Sequence, residues 1–213
     1  MTLDRIECLA DAEQLAVLGQ LHTKPEDGLG QGTIVLLGPG EPGFWAHVTA
    51  SPEFTDGTPD PLDRWSERVI GQICDDVGGQ AVFPFGSPPR PFIGWALRSG
   101  ACFVSPASLL VHATVGLFVS FRGAVVLPRL LDLPSPSANP CDNCTDKPCL
   151  SACPPKALTA QGYDLPACHA YLDSEPGQAC MTRGCRVRRA CPLASTYPRL
   201  EAQSAYHMTE FHK

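Results

Sequence analysis

Cysteine thiols are the groups in this chain whose number and spacing most clearly predict chemistry. The 213 residues include 11 cysteines, of which Cys8, Cys74 and Cys102 are scattered through the first half. The other eight form two groups that each end in a Cys-Pro pair: Cys141, Cys144, Cys149 and Cys153, followed by Cys168, Cys180, Cys185 and Cys191. Thiolates bind zinc and iron–sulfur clusters, so this segment predicts a metal or redox role.

The spacing within the two groups favours iron–sulfur clusters. Bacterial two-cluster ferredoxins carry the run C-x2-C-x2-C-x3-C-P, in which the fourth cysteine ligates the other cluster. The first group here has the related spacing C-x2-C-x4-C-x3-C-P. Exchanging the last cysteine of each group in the same way gives two complete sets for two [4Fe–4S] clusters. Set one is Cys141, Cys144, Cys149 and Cys191, and set two is Cys153, Cys168, Cys180 and Cys185.

Two other uses of these cysteines stay open. Two zinc sites of four cysteines each would also use all eight, although zinc sites usually show paired C-x2-C knuckles and only Cys141 and Cys144 have that spacing. Disulfides are the third interpretation. Four arginines accompany the second group, where they could ease reduction of an anionic cluster, dock an acidic partner or form a solvated helix face: Arg183, Arg186, Arg188 and Arg189.

Charge and hydropathy indicate the partners and the cellular compartment that we expect for the chain. The net charge of -6 argues against nucleic acid as a partner. The first seven residues contain no basic stretch followed by an apolar one, so we expect no secretory signal and a cytoplasmic protein, in which disulfides are rare. The apolar stretch 109–127 is interrupted by His112 and Arg122, which predicts core rather than membrane insertion. No pattern indicates an oligomeric state.

The segments before the cysteines predict an α+β fold. Residues 128–140 contain four prolines and are typical of a linker, so we expect domains at 1–133 and 134–213. Apolar periodicity and turn residues predict the elements of the first domain. These are helices over 3–21, 61–77 and 92–98, strands over 33–37 and 81–83, and a hairpin over 117–127 turning at Arg122-Gly123.

The cysteine-rich segment resembles a known module. Cys141-Asp-Asn-Cys144, Cys149-Leu-Ser-Ala-Cys153-Pro, Cys168-His-Ala-Tyr-Leu172 and Cys185…Cys191-Pro are similar to the twin [4Fe–4S] module of epoxyqueuosine reductases and reductive dehalogenases. The spacing before Cys149 and around Cys185 is wider here. Most of the chain also resembles short bacterial proteins described as ferredoxin-like. These resemblances imply an electron-transfer protein with a redox donor or acceptor protein as its partner.

The first domain more weakly resembles cobalamin-processing domains of the CblC type, which have a nitroreductase-like fold. The segment Gly116-Leu-Phe-Val-Ser-Phe-Arg-Gly-Ala-Val-Val-Leu-Pro128 carries this resemblance. It implies a corrinoid, or a flavin, bound by the N-terminal domain, and a corrinoid-linked oxidoreductase as the second hypothesis. His112, Arg98 and Arg122 are the candidate cofactor-binding residues. No position matches a catalytic residue of the family.

Overall fold

The computed structural model describes residues 2–213, and its mixture of helices and strands confirms the α+β class. The helices are α1 (Thr2–Ala12), α2 (Phe44–Thr49), α3 (Pro52–Thr55), α4 (Pro61–Val77), α5 (Phe92–Arg98), α6 (Leu165–Leu172), α7 (Gln178–Arg183), α8 (Arg186–Arg189) and α9 (Glu201–Phe211). The strands are β1 (Leu15–His22), β2 (Thr33–Pro39), β3 (Gln80–Val82), β4 (Cys102–Val104), β5 (Leu110–His112), β6 (Gly123–Leu127), β7 (Leu158–Thr159) and β8 (Gly162–Tyr163). Across the described residues, no helix is both long and apolar enough to span a membrane.

The chain forms two compact units that are not continuous in sequence. The N-terminal unit contains residues 2–102 and 120–137, and the cysteine-rich unit contains residues 103–119 and 138–213. Residues 103–119 therefore group with the cysteines that follow them much later in the chain. The division into folding domains at residue 134 stays a prediction.

The N-terminal unit is built on a four-stranded antiparallel sheet in the order β1-β2-β6-β3. Every residue of β2 and β6 is buried, so both faces of these central strands are covered, and apart from Thr33 their side chains are apolar. Helix α4 packs on β6 and β3. The rings of Phe44 and Trp65 meet edge to face with centroids 5.5 Å apart, and together with Trp95 they fill the core.

Helix α4 has the bounds that the sequence predicts. Pro61 occupies its first turn, where its missing N–H costs no hydrogen bond. Gly78 ends it in the left-handed conformation, with φ at 68°, and donates its backbone N–H to the carbonyl of Cys74. Trp65, Val69 and Ile70 are buried on the same face. Local signals define this helix at both ends, and the helix predicted over 92–98 is confirmed as α5.

The helix predicted over 3–21 is wrong in its second half. The chain is helical only to Ala12, and residues 15–22 form β1. A β-bulge between Val17 and Gly19 interrupts the alternation of β1. A bulge adds one residue to the two-residue repeat of a strand, so Leu15 and Leu18 are buried at an interval of three residues, which resembles a helical period.

The hairpin predicted over 117–127 is also wrong. Only residues 123–127 form a strand, β6, and this strand pairs with β2 and β3 rather than with residues 117–121. Gly123 is paired with Leu37, and its missing side chain makes room for Ile70, whose Cδ1 would lie 2.7 Å from a Cβ at this position. The glycine therefore serves close helix–sheet packing and not a tight turn.

The cysteine-rich unit has its own small core. Five apolar side chains and one cysteine form it: Ala107, Val111, Leu117, Leu158, Val187 and Cys149. Four more cysteines pack against this core while partly exposed: Cys141, Cys153, Cys185 and Cys191. Three of the five apolar core residues come from 103–119, so the cysteines pack against a segment that precedes them in the chain.

Candidate metal centres

The four cysteines of set one line a single cavity. This cavity has a volume of about 380 Å³ and lies within the cysteine-rich unit. Its thiols are Cys141, Cys144, Cys149 and Cys191, and residues 103–119 supply apolar wall through Pro106, Val111 and Leu117. Three cysteines of the first group and the last cysteine of the second group thus face the same space.

Short turns present these cysteines. The backbone N–H of Cys141 donates to Asn139 Oδ1 at 3.0 Å, and the N–H of Cys144 donates to the Cys141 carbonyl at 3.4 Å. Cys149 lies in a 3-10 turn, Pro148–Leu150, and is 7% exposed. Cys191 directly precedes the 3-10 turn Pro192–Ser195. The prolines begin both turns, because a missing N–H is tolerated at that position.

Gly116 lies against Cys191 and Leu193, two residues that line the cavity. Its φ is +63°, and a Cβ built there would lie 3.1 Å from Cys191 Sγ and 2.9 Å from Leu193 Cβ. Its backbone exchanges two hydrogen bonds of 3.1 Å with His112. A side chain at this position would enter the space that Cys191 occupies, so both the conformation and the contact require glycine.

The thiols of set one influence one another electrostatically. Burial raises the pKa of Cys141, and the neighbouring thiols Cys149, Cys191 and Cys144 add to that rise. Burial also raises the pKa of Cys149, with Cys144 and Cys191 as its thiol neighbours. Uncompensated thiolates repel at this proximity, so the charged form of the set needs a cation or a metal to balance it.

The thiols of set two also raise one another's pKa. Burial raises the pKa of Cys168, and Cys185, Cys153 and Cys180 raise it further. Burial raises the pKa of Cys180 as well, where Cys185 is the thiol neighbour. Cys180 lies in α7 and is 6% exposed, and Cys168 lies in α6. Each set therefore gathers cysteines from both sequence groups.

Polar groups and cations lie near the thiols of set two. The proximity of Tyr163 lowers the pKa of Cys168 against the effect of burial, and the backbone of Arg186 does the same for Cys180, so both neighbours favour the thiolate. The guanidiniums of Arg189 and Arg186 also favour the Cys180 thiolate. In contrast, the acidic side chain of Asp142 disfavours the Cys141 thiolate in set one.

The four arginines of the second group have different surroundings. Arg183 is exposed and pairs with Glu201 at 2.6 Å. Burial lowers the pKa of Arg188, whose guanidinium donates to the Leu117 carbonyl within the same unit. Arg189 donates to the Gly184 carbonyl at 3.0 Å. The cationic groups are thus partly fixed to the backbone around Cys185 rather than forming one solvated face.

Two of the three predicted cofactor-binding residues form ion pairs inside the N-terminal unit. Arg98 binds both oxygens of Asp27, at 2.8 and 3.0 Å, and Trp95 Nε1 donates to the same carboxylate at 2.8 Å. Burial opposes ionisation of Asp27, but these bonds and that of Lys24 lower its pKa to about 2. Arg122 pairs with Asp63 at 3.3 Å. Arg98 and Arg122 therefore form ion pairs with two different carboxylates.

His112, the third predicted residue, belongs to the cysteine-rich unit and is 7% exposed. Its Nδ1 accepts the backbone N–H of Thr114 at 3.1 Å and shapes the turn that leads to Gly116. His112 thus stabilises a local turn, and the residue before it, Val111, lines the cavity. Cofactor binding by His112, Arg98 and Arg122 stays a prediction.

The remaining thiols lie apart from both sets. Cys8 is exposed, whereas Cys74 and Cys102 are buried. Burial raises the pKa of Cys74 and of Cys102 to about 12, so these thiols are inert at neutral pH. Cys74 and Cys102 are therefore core residues of the N-terminal unit.

The metal ions themselves are not part of the structure. Among residues 2–213, no three His, Cys, Asp or Glu side chains are arranged to hold a single metal ion. The donor sets are nevertheless chemically suitable for an iron–sulfur cluster, because each gathers four thiols and set one lines a cavity around which they converge.

Comparison with known proteins gives one partial similarity. The chain is 32% identical over 116 residues to a protein named epoxyqueuosine reductase from Leadbetterella byssophila. The match covers 54% of this chain and 36% of that protein, so the chain spans about a third of the relative's length. No protein-family model and no solved structure matches the chain, and nothing supports the N-terminal resemblance to cobalamin-processing domains. The chain is thus similar in part to a named reductase, in agreement with the resemblance of its cysteine-rich segment.

Proposed function

We propose that this protein transfers electrons through two [4Fe–4S] clusters. Set one, Cys141, Cys144, Cys149 and Cys191, holds one cluster, and set two, Cys153, Cys168, Cys180 and Cys185, holds the other. The single observation that carries the proposal is the cavity lined by all four cysteines of set one. The partial similarity to a reductase supports a redox role.

The spatial grouping of the thiols favours this proposal over others. Disulfides need sulfurs bonded in pairs, whereas all 11 cysteines are free. A zinc ion would draw four sulfurs to about 2.3 Å from itself. The thiols of set one line a cavity of about 380 Å³ together with twelve other residues, and this cavity has room for a polynuclear cluster. Zinc therefore becomes an outcome that the metal analysis tests.

A bound cluster supplies reversible one-electron chemistry, and the protein supplies its surroundings. Burial of Cys149 and Cys180 excludes water from part of each set. The cations beside Cys180 offset negative charge at set two. Partly exposed cysteines such as Cys144 leave an edge near solvent, where a redox donor or acceptor protein can approach.

Anaerobic purification with iron, zinc and acid-labile sulfide analysis tests the proposal. We expect a brown protein with about eight irons per chain, since each cubane contributes four. Cys191→Ser should lower iron to about half, because it removes one ligand of set one. Cys8→Ser is the matched control, since Cys8 is exposed and lies in α1; it should leave iron unchanged.

Two results contradict this assignment. A colourless chain with about two zincs, prepared without oxygen, excludes both clusters. Full iron in Cys191→Ser, with two intact cluster signals in electron paramagnetic resonance, refutes the exchange of cysteines between the two groups even if clusters are present.

A corrinoid-linked reductase is the second candidate function, and the name of the partially similar protein is the observation that favours it. The corrinoid fits the predicted residues poorly, because Arg98 and Arg122 pair with Asp27 and Asp63. We derive no reaction step through a corrinoid or a flavin. Adding cobalamin or FMN to the iron-loaded protein and finding an unchanged melting temperature would count against this candidate.

A further inference from the structure

Helix α8 carries two arginines beside a cysteine of set two. Arg186 begins the helix directly after Cys185, and Arg189 ends it three residues later. Residues three apart lie on the same side of a helix, so these two side chains share one face of α8. Val187 is fully buried and fixes the helix to the core of the cysteine-rich unit. The two cations are therefore held next to set two.

No carboxylate of this chain neutralises these two guanidinium groups. Among residues 2–213, no carboxylate oxygen is within ion-pair distance of Arg186 or Arg189, whereas Arg183 pairs with Glu201 at 2.6 Å. Four arginines of the N-terminal unit also have a carboxylate partner: Arg64, Arg68, Arg98 and Arg122. The cations of α8 are thus open to carboxylates from outside the chain.

The two arginine side chains differ in how firmly they are held. Arg186 is exposed, and within the described part of the chain its side chain makes no hydrogen bond. Arg189 Nε donates to the Gly184 carbonyl at 3.0 Å, and this bond leaves both terminal nitrogens of the guanidinium as donors. Because the fork of Arg189 is already oriented, it loses less conformational freedom when it binds a carboxylate.

An exposed leucine lies next to α8. The helix packs against the 3-10 turn Pro148–Leu150, and Leu150 at the end of this turn is 42% exposed. Protein interfaces typically combine apolar contacts with arginine, which is enriched there. We call Arg186, Arg189 and Leu150 the α8 surface. It borders both sets, since Arg186 follows Cys185 of set two and Leu150 follows Cys149 of set one.

We propose that the α8 surface docks an acidic redox protein that exchanges single electrons with the clusters. This inference rests on the proposed function and adds the chemistry of the partner. Carboxylates of the partner pair with Arg186 and Arg189, and an apolar side chain of the partner covers Leu150. In each transfer one protein is oxidised and the other is reduced by one electron, and no bond is made or broken.

The net charge of -6 is compatible with this contact. At about 0.1 M salt, exposed charges more than ~10 Å apart are largely screened, so a docking protein responds to the cations of the α8 surface rather than to acids elsewhere. Nucleic acid is the less suitable occupant. Its affinity depends on many phosphate contacts, and this surface offers two arginines beside an apolar side chain.

Calorimetric titration with a plant-type [2Fe–2S] ferredoxin, a small protein rich in exposed carboxylates, tests the α8 surface. Both proteins are kept oxidised and free of oxygen, so that binding does not depend on their potentials. We expect Arg186→Gln to weaken binding about fivefold at ~0.1 M salt, the upper range for an exposed ion pair. This effect should shrink as salt is raised, whereas the weakening by Leu150→Ala should persist, because apolar contacts are not screened.

Arg5→Gln is the matched control. Arg5 is an exposed arginine of α1 in the N-terminal unit, so the variant removes the same charge without touching the α8 surface. It should bind the ferredoxin as the wild type does. Arg186→Lys keeps the charge and should retain most of the affinity. None of these residues is a proposed ligand, so the iron content of every variant should equal that of the wild type.

The outcomes separate this inference from the proposed function. Clusters without ferredoxin binding overturn the docking surface and leave electron transfer standing, whereas a chain without clusters refutes electron transfer whatever it binds. Equal weakening by Arg186→Gln and Arg5→Gln overturns the α8 surface, because net charge alone would then explain the result. Self-association that requires Arg186, or tighter binding of a short single-stranded RNA than of the ferredoxin, overturns the acidic protein as its occupant.

Discussion

Replacing Gly116 with alanine should displace Cys191 and prevent binding of the cluster that we propose for set one. A Cβ at this position would lie 2.9 Å from Leu193 Cβ and 3.1 Å from Cys191 Sγ, both closer than ordinary van der Waals contact. Gly116 also has a φ of +63°, which costs a residue with a side chain about 1–2 kcal/mol. Relieving the two contacts adds about 1–3 kcal/mol, the range found for overpacked cores.

Gly28→Ala separates these two effects. Gly28 has a φ of +66°, and a Cβ there would meet nothing within 4 Å. Both variants therefore share the backbone strain, and only Gly116→Ala adds the contact with Cys191. The free energy of unfolding of Gly116→Ala should be lower than that of Gly28→Ala by about 1–3 kcal/mol in urea titrations.

Iron content then shows whether the contact at position 116 displaces Cys191 enough to prevent cluster binding. Displacement of Cys191 removes one of four ligands, so Gly116→Ala purified without oxygen should hold about half the iron of wild type. Gly28→Ala should hold all of it. Equal iron and equal urea midpoints in the two variants would refute the argument, because the Cβ at position 116 would then have met no resistance.

Three further predictions concern pH, thiol reactivity and the extent of the cysteine-rich unit. The pKa of Asp27 is lowered to about 2, so its contribution of about 2 kcal/mol is present above its ordinary pKa and is lost as pH falls from about 4 to 2; Asp27→Asn should remove this part of the acid dependence in urea titrations. Alkylation of the native protein at pH 8 should label Cys8 and spare Cys74 and Cys102, whose pKa values are raised to about 12, as peptide mass spectrometry can show. A fragment of residues 138–213 should bind less iron than the full chain, because it lacks Ala107, Val111 and Leu117 of the core.

Each of these predictions has a control. Asp76→Asn replaces an exposed carboxylate and should keep the acid dependence that Asp27→Asn loses. Labelling in concentrated urea should expose all three thiols, and early labelling of Cys74 without denaturant would contradict its burial. A fragment of residues 103–213 supplies the missing core residues, so equal iron in both fragments would contradict the role of residues 103–119.

Sequence alone predicts those parts of the fold that local signals determine. Helix α4 is found from end to end, because Pro61, Gly78 and a regular apolar face all lie within it. Strand β1 is mistaken for a helix, because a bulge at Val17 and Gly19 disturbs its alternation. The partners of β6 are missed, since pairing with β2 joins residues that are distant in the chain.

The candidate site divides in the same way. Cysteine spacing is a local pattern, and it identified the eight thiols that the structure gathers in the cysteine-rich unit. The role of Gly116 beside Cys191 has no such pattern. A glycine matters because of what approaches it, and that approach arises only when distant segments meet.

The discontinuity of the cysteine-rich unit has a consequence during protein synthesis. Residues 103–119 leave the ribosome before any of the eight cysteines, and Cys191, the last of these, follows about 70 residues later. At about 5–20 residues per second, several seconds pass between them. The cavity-lining residues of segment 103–119 therefore lack their cysteine partners during this time. Strand β6, in contrast, can already pair with the strands made before it. Metal delivery for the proposed cluster of set one before the ribosome has passed Cys191 would find an incomplete set of ligands, so its insertion belongs after Cys191 has been translated.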